Sequence, residues 1–350
     1  MNYDPLVTHE GAAYIAAYIA SYERAATAIG RLEYGLGLAD CSLRLCFAGD
    51  ALAARFMPAF GSRLLPAVPA APAWTFYLWD SETSGVPNPH PPWETTAYSY
   101  RGEILGYNDA QTSINYEGYL LNMTDHAACV SVFWVERPAD VPWWEQFLPL
   151  RLLLHQWTLG TPLQLVHAAA VGDARGAVLI TGKNGVGKST STLACLGSPL
   201  GILGDDYVIL DTERALVYNL YSAVKLEAQD LDRFPALRPH VANRDALDHQ
   251  KAVVYLHEAA PDALRDGLPV RAVLVPQVTG ERDSAVVATS GVAALAALAP
   301  STLSHLKTER ADIFQKLSRF MNRVGHSYTL RAGTDLAQIP TVIERILDAQ

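Results

Sequence analysis

Residues 180–192 read ITGKNGVGKSTST, and within them Gly182-Lys-Asn-Gly-Val-Gly-Lys-Ser189 fits the spacing G-x4-G-K-[ST] without a gap. Such a stretch is suited to holding phosphates. Its glycines let the backbone curl with N–H groups turned inward, and a helix starting where the curl ends presents its positive end to the same anion. Gly182, Lys183, Asn184, Gly185, Val186, Gly187, Lys188, Ser189 and Thr190 are therefore expected to cradle ATP. Lys188 would neutralise the β- and γ-phosphates, and Ser189 would offer a hydroxyl to Mg²⁺.

A second chemical group sits in GILGDDYVILD, residues 201–211. Two adjacent carboxylates between apolar segments can divide the work of phosphoryl transfer, one accepting a proton from an incoming hydroxyl and the other holding Mg²⁺. Asp205 is expected as the base and Asp206 as the metal ligand, although an Asp-Asp pair taken alone fits a solvated turn equally well. His167, in LVHAAAV, is expected on the strand that precedes the turn into the phosphate-loop strand. A lone histidine in an apolar strand is more often a satisfied core residue. Here the following hairpin would return it beside the phosphate loop, where it joins Asp205 and Lys188 as a catalytic candidate.

The elements that must position these residues can be read from hydrophobic pattern. LQLVHAAAV, the turn GDARG, the strand GAVLIT, the glycine loop and the helix-like STSTLACL follow one another in the order a phosphate loop requires. Ahead of them, residues 142–159 carry apolar side chains round most of a helix before Gly160-Thr-Pro162 stops it. Residues 10–30 have helical spacing of Ala, Tyr and Ile. Strand-type segments follow: SLRLCFAG, AWTFYLW, TTAYSYRGEILGY, TSINYEGYLLNM and ACVSVFWVE. The expectation is an α/β (α+β) chain, with a mostly antiparallel, β-rich recognition or assembly domain over 1–155 and a P-loop catalytic domain over 156–350.

Composition narrows the function. The net charge of −9 and the lack of a Lys/Arg run argue against nucleic acid as a partner. No stretch reaches the ~20 apolar residues of a membrane span, and the N-terminus lacks the pattern of a signal peptide, so a cytoplasmic location is expected. The sequon Asn122-Met-Thr124 is then a chance match. Cys41, Cys46, Cys129 and Cys195 lack zinc-site spacing and read as thiols of a reducing compartment. His240, Asp245, His249 and His257 likewise read as a polar loop rather than a metal site.

With these residues in place, LVHAAAV…GAVLITGKNGVGKSTSTLACL…LGDDYVIL resembles the core of the HPr kinase/phosphorylase-like serine kinases, a phosphoenolpyruvate-carboxykinase type of P-loop fold. The likeness covers residues 163–211. It implies that His167, Lys188, Ser189, Asp205 and Asp206 surround the triphosphate and Mg²⁺. The Arg-Gly-rich segment that follows the paired aspartates in kinases of HPr is missing, since DTERALVYNLYSAVKLEAQDL stands there. The wider layout is similar to stand-alone members found beside peptide-modification genes, some of which phosphorylate a lasso-peptide precursor. That implies a peptide or small-protein substrate with an acceptor serine, and leaves a homo-oligomer open. Lys225, Lys251 and Arg271 are further candidate contacts, each equally a surface charge.

Two other functions share the loop. A transport-type ATPase would carry an LSGGQ-like signature and a distant Asp-Glu strand, whereas ATSGVAALAALAP has the periodicity of a helix. A passive ATP sensor would not need Asp205, Asp206 and His167 beside the γ-phosphate.

Overall fold

The structure, a computed structural model, describes residues 6–91, 104, 107, 111–117, 120–305 and 310–349. The chain is mixed α/β with several sheets, and it divides into two compact units, Met1–Leu159 and Gly160–Gln350.

The first unit opens with α1 (Leu6–Ile29), whose Tyr14, Tyr18 and Tyr22 recur every four residues and are buried. They meet Trp79, Trp134, Leu121 and Met123 on one face of a sheet. That sheet joins β1 (Arg31–Leu38), β2 (Cys41–Ala48), β3 (Trp74–Asp80), β4 (Thr112–Glu117), β5 (Leu120–Asp125) and β6 (Val130–Val135) in the order β1-β2-β3-β6-β5-β4. Short helices α2 (Ala51–Phe56) and α3 (Ser81–Ser84) flank β3 in sequence.

Three findings depart from the sequence reading. The sheet is mixed, because β2–β3 and β3–β6 are parallel while the other pairings are antiparallel. Parallel neighbours need long crossovers, and residues 49–73 and 81–129 supply them. Strand β1 has a weak strand signal in sequence, because glycines inside a strand read as a turn. Here Gly35 is required, since a Cβ would lie 2.8 Å from the Ala67 carbonyl. Finally, the single helix expected over 142–159 is two, α4 (Trp143–Phe147) and α5 (Arg151–Thr158). Pro149 cannot donate a helical hydrogen bond and disfavours a helical Leu148, and Leu150 then takes φ 60°. The segment TTAYSYRGEILGY lies outside the described residues except for Ile104 and Tyr107. Asn122 is buried within β5, out of reach of a glycan.

The second unit places its chemistry at strand ends. In chain order come β7 (Leu163–Val166), β8 (Ala169–Asp173), β9 (Gly176–Ile180), α6 (Lys188–Leu193), β10 (Gly201–Gly204), β11 (Val208–Asp211) and β12 (Leu216–Asn219). Then follow β13 (Ala223–Leu226), β14 (Ala252–Tyr255), α7 (Leu256–Ala259), β15 (Gly267–Val278), β16 (Ala285–Ala288), α8 (Gly291–His305), α9 (Arg310–Val324), β17 (Ser327–Ala332) and α10 (Gln338–Asp348). The 12-residue β15 organises the sheet: it pairs with β12 at its start, runs parallel to β9 in the middle and parallel to β17 at its end. The full path is β10-β8-β9-β15-β12-β11-β7, with β17 and β16 added beyond β15. β13 and β14 form a separate two-stranded ladder.

Helix α10 packs its apolar stripe, Ile339, Val342, Ile343, Ile346 and Leu347, into the core shared with Val178, Ile180 and Leu274. This clamps β9, whose end feeds the phosphate loop. Ile343→Ala is expected to destabilise the protein by about 2–5 kcal/mol, read as a lower urea midpoint at unchanged slope. Val292→Ala, at a position 79% exposed, should cost under ~0.5 kcal/mol. Equal effects of the two would contradict this packing.

Candidate active site

Strand β9 ends at Ile180, α6 begins at Lys188, and the phosphate-loop residues lie between them. Gly185 and Gly187 take φ of 82° and 100°, a region that penalises other residues, which is why the curl needs glycine there. Lys183, Asn184 and Gly185 are exposed, while Val186, Gly187, Ser189 and Thr190 are partly so. Lys188 is 7% exposed, and its ammonium donates to the carbonyls of Gly182 (2.9 Å) and Lys183 (3.2 Å). Burial pulls its pKa below the ordinary lysine value, against the opposing charges of Asp206 and Asp205.

Asp205 and Asp206 form the turn between β10 and β11. The structure thus brings the paired carboxylates to the phosphate loop. Asn219 holds the approach in place, its amide donating to the carbonyls of Leu203 (2.8 Å) and Tyr221 (3.3 Å).

His167 does not lie on a strand. It occupies the break between β7, which pairs with β11, and β8, which pairs with β9 and β10. Its backbone N–H donates to Thr302 Oγ1 on α8 at 3.2 Å, and its ring tilts against Tyr207. The β8–β9 hairpin pairs Ala169 with Ile180, so the histidine does return beside the loop. Its Nε2 lies 2.8 Å from Asp206 Oδ1 and donates to it, because an ionised carboxylate can only accept.

The other oxygen of Asp206 takes Lys225 Nζ at 2.7 Å, and the Lys225 backbone N–H donates to Asp205 Oδ2 at 3.2 Å. One residue of β13 therefore touches both carboxylates. Burial would raise Asp206, but the Lys225 charge and the His167 hydrogen bond outweigh it and hold the carboxyl far below the usual range. Asp205 feels the Lys225 charge only as a minor influence. Burial and then the neighbouring Asp206 push it up to about 6, against smaller pulls from the Lys225 N–H and the Ser189 hydroxyl.

Asp205 Oδ1 is buried and has no hydrogen-bond partner among the described residues. A buried carboxylate oxygen left over beside a loop serine fits a divalent cation, since Mg²⁺ takes one or two protein oxygens and fills its remaining positions from phosphate and water. Ser189 and Asp205 would be those protein ligands. Among the described residues no group of three or more His, Cys, Asp or Glu could hold a metal ion. The cysteines are free.

Of the other sequence candidates, Lys251 pairs with Glu227 at 2.9 Å and stands near enough to Lys188 to depress its pKa. Arg271 lies in the first half of β15 and donates to the Arg175 carbonyl, a structural role. Asn219 and Thr302 carry no local signal in sequence; only the fold reveals them.

No family model matches the chain, and no curated protein matches it. Among solved structures, the HPr(Ser) kinase/phosphatase from Coxiella burnetii overlaps 53% of this chain and 95% of its own, at 12% identity and a TM-score of 0.29. A likeness at that level carries no argument about function. Among the described residues no helix is long and apolar enough to cross a membrane.

The raised pKa of Asp205 is a stability statement. Its folded carboxyl binds a proton more tightly than the unfolded one, so that contribution is present below about pH 4 and lost as pH rises through about 6. Relative to wild type, Asp205→Asn should therefore gain up to about 3 kcal/mol between pH 4 and pH 8 in denaturation experiments. A difference independent of pH would contradict this electrostatic picture.

Proposed function

We propose that the chain is an ATP-dependent serine kinase that passes the γ-phosphoryl group to a serine of a peptide or small protein. One observation carries the reading: a carboxylate with both oxygens held in place, Asp206, stands beside a phosphate loop and next to a second carboxylate, Asp205, one of whose oxygens has no hydrogen-bond partner among the described residues. A passive nucleotide binder has no use for that arrangement.

We assign the aspartates roles opposite to those expected from sequence. Asp205 is 2% exposed, whereas the Asp206 side chain keeps 20% exposure and is the more open of the two to an incoming hydroxyl. Asp206, kept ionised but only weakly basic by Lys225 and His167, is therefore assigned to orient the hydroxyl and take its proton late in the transfer, and Asp205 joins Ser189 as metal ligand. Mg²⁺ held there would draw charge from the β- and γ-phosphate oxygens. Lys188 neutralises the same oxygens. The serine hydroxyl gives its proton to Asp206 as its oxygen bonds to the γ-phosphorus, and the bond to the bridging oxygen breaks, so that ADP leaves with the electron pair. His167 acts through Asp206 as a positioning residue.

The acceptor follows from the resemblance in sequence. Without the Arg-Gly segment HPr is disfavoured, and a ribosomal precursor peptide of the lasso type, modified at a serine, is the substrate class we assign. The first unit, which carries no phosphate-loop motif, is assigned to acceptor recognition or assembly. These assignments extend to a cytoplasmic setting.

Incubation with ATP, Mg²⁺ and, separately, a precursor peptide, HPr and free serine should add the mass of one phosphate to the peptide. Asp206→Asn should slow that transfer by ~10²–10⁴-fold, while Asp205→Asn should raise the Mg²⁺ requirement. Steady ATP hydrolysis with every acceptor unmodified would replace the kinase with an ATPase. Interchanged effects of the two variants would restore the opposite order of roles.

A further inference from the structure

Lys225 lies outside the phosphate-loop motif and outside the Asp-Asp turn, yet it is the residue that touches both carboxylates. Its backbone is fixed, because β13 pairs Lys225 with Val253 of β14 and its N–H is bonded to Asp205. Its side chain is 16% exposed, so its ammonium is largely withdrawn from water and holds a defined place.

The consequence follows from distances and rests on Asp206 as the base. A hydroxyl giving its proton to a carboxylate lies about 2.7 Å from it. The same oxygen must approach phosphorus to about 3–3.5 Å before reaction. The γ-phosphorus then passes within roughly 6 Å of the Asp206 carboxylate. Lys225 Nζ is 2.7 Å from that carboxylate, so the phosphoryl oxygens and the ammonium share one small volume. Lys188 differs in place, because its ammonium is bound to carbonyls within the loop itself.

We propose that Lys225 is a catalytic residue, a second phosphoryl-binding cation that stabilises the γ-phosphoryl group while it is between donor and acceptor. Negative charge spreads over the equatorial oxygens during transfer, and a cation supplied from β13 meets that charge on the acceptor side. Lys251 has a different part. It is about half exposed and bound to Glu227, so it contributes to the general field without reaching the reacting group.

Binding of Mg²⁺·ADP, with and without aluminium fluoride as a mimic of the transferring phosphoryl, tests this on the full chain without needing the acceptor. Lys225→Met should weaken binding of the fluoride complex by ~10²–10³-fold and that of ADP by less than ~3-fold. Lys225→Arg should keep most of the fluoride-complex affinity, and Lys251→Ala should change either affinity by less than ~3-fold. Equal losses for both ligands in Lys225→Met, or no loss for the fluoride complex, would overturn the proposal. An arginine variant as weak as the methionine one despite a wild-type melting temperature would also overturn it. Failure of the kinase reading shows elsewhere, as acceptors left unmodified by wild type, so the two outcomes are separable.

Discussion

Two adjacent carboxylates cannot be taken out of water together unless something balances them, and the second unit is arranged around that constraint. A single buried ion costs several kcal/mol even after relaxation, and like charges side by side add to the cost. Asp206 is fully answered by Lys225 and His167, whereas Asp205 receives a backbone N–H, the nearby Ser189 hydroxyl and no full counter-charge. The asymmetry is what the proposed chemistry draws on. One carboxylate is ionised and oriented, and the other is a buried site of unmet negative charge beside a phosphate loop, where a divalent cation is the natural complement.

The scaffold delivers these groups from distant parts of the chain. The phosphate loop leaves β9, the aspartates leave β10, His167 leaves β7, and Lys225 sits on the separate β13–β14 ladder. Strand ends of a sheet with parallel members at its centre are where such folds gather ligand-binding groups. What keeps the ends in register is unremarkable apolar packing: α10 against β9 and β15, and the long β15 shared by three neighbours. Polar clamps finish the positioning. Thr302 fixes the His167 backbone, and Asn219 ties the end of β10 to the segment that leads into β13.

How much of this was legible in sequence depended on the range of the interaction. The phosphate loop and the Asp-Asp turn are local patterns, with glycine, lysine and serine at fixed offsets, and they stood out directly. The strand-loop-helix order around them and the helical periodicity of ATSGVAALAALAP were also local, and the structure has the order and a helix over Gly291–His305. Lys225 could be named only as one of three interchangeable basic residues, because its meeting with Asp206 spans 19 positions in sequence and depends on how β13 is placed. Thr302 and Asn219 were invisible for the same reason. Misreadings came from competing local rules. Pro149 outweighed an apolar helical pattern, glycines hid β1, and a continuous apolar run concealed the break at His167 between two strands. The parallel junctions in the first unit could not be seen from alternation alone, which is identical for either strand direction.

On the proposed function, the γ-phosphoryl group goes to a hydroxyl rather than to water. A single-turnover experiment with γ-labelled ATP, excess enzyme, Mg²⁺ and a serine-bearing precursor peptide measures that partition directly. Label is expected on the peptide serine in step with ADP formation, with little released as inorganic phosphate. Label appearing as inorganic phosphate at the rate of ADP formation, with the peptide unlabelled, would contradict it.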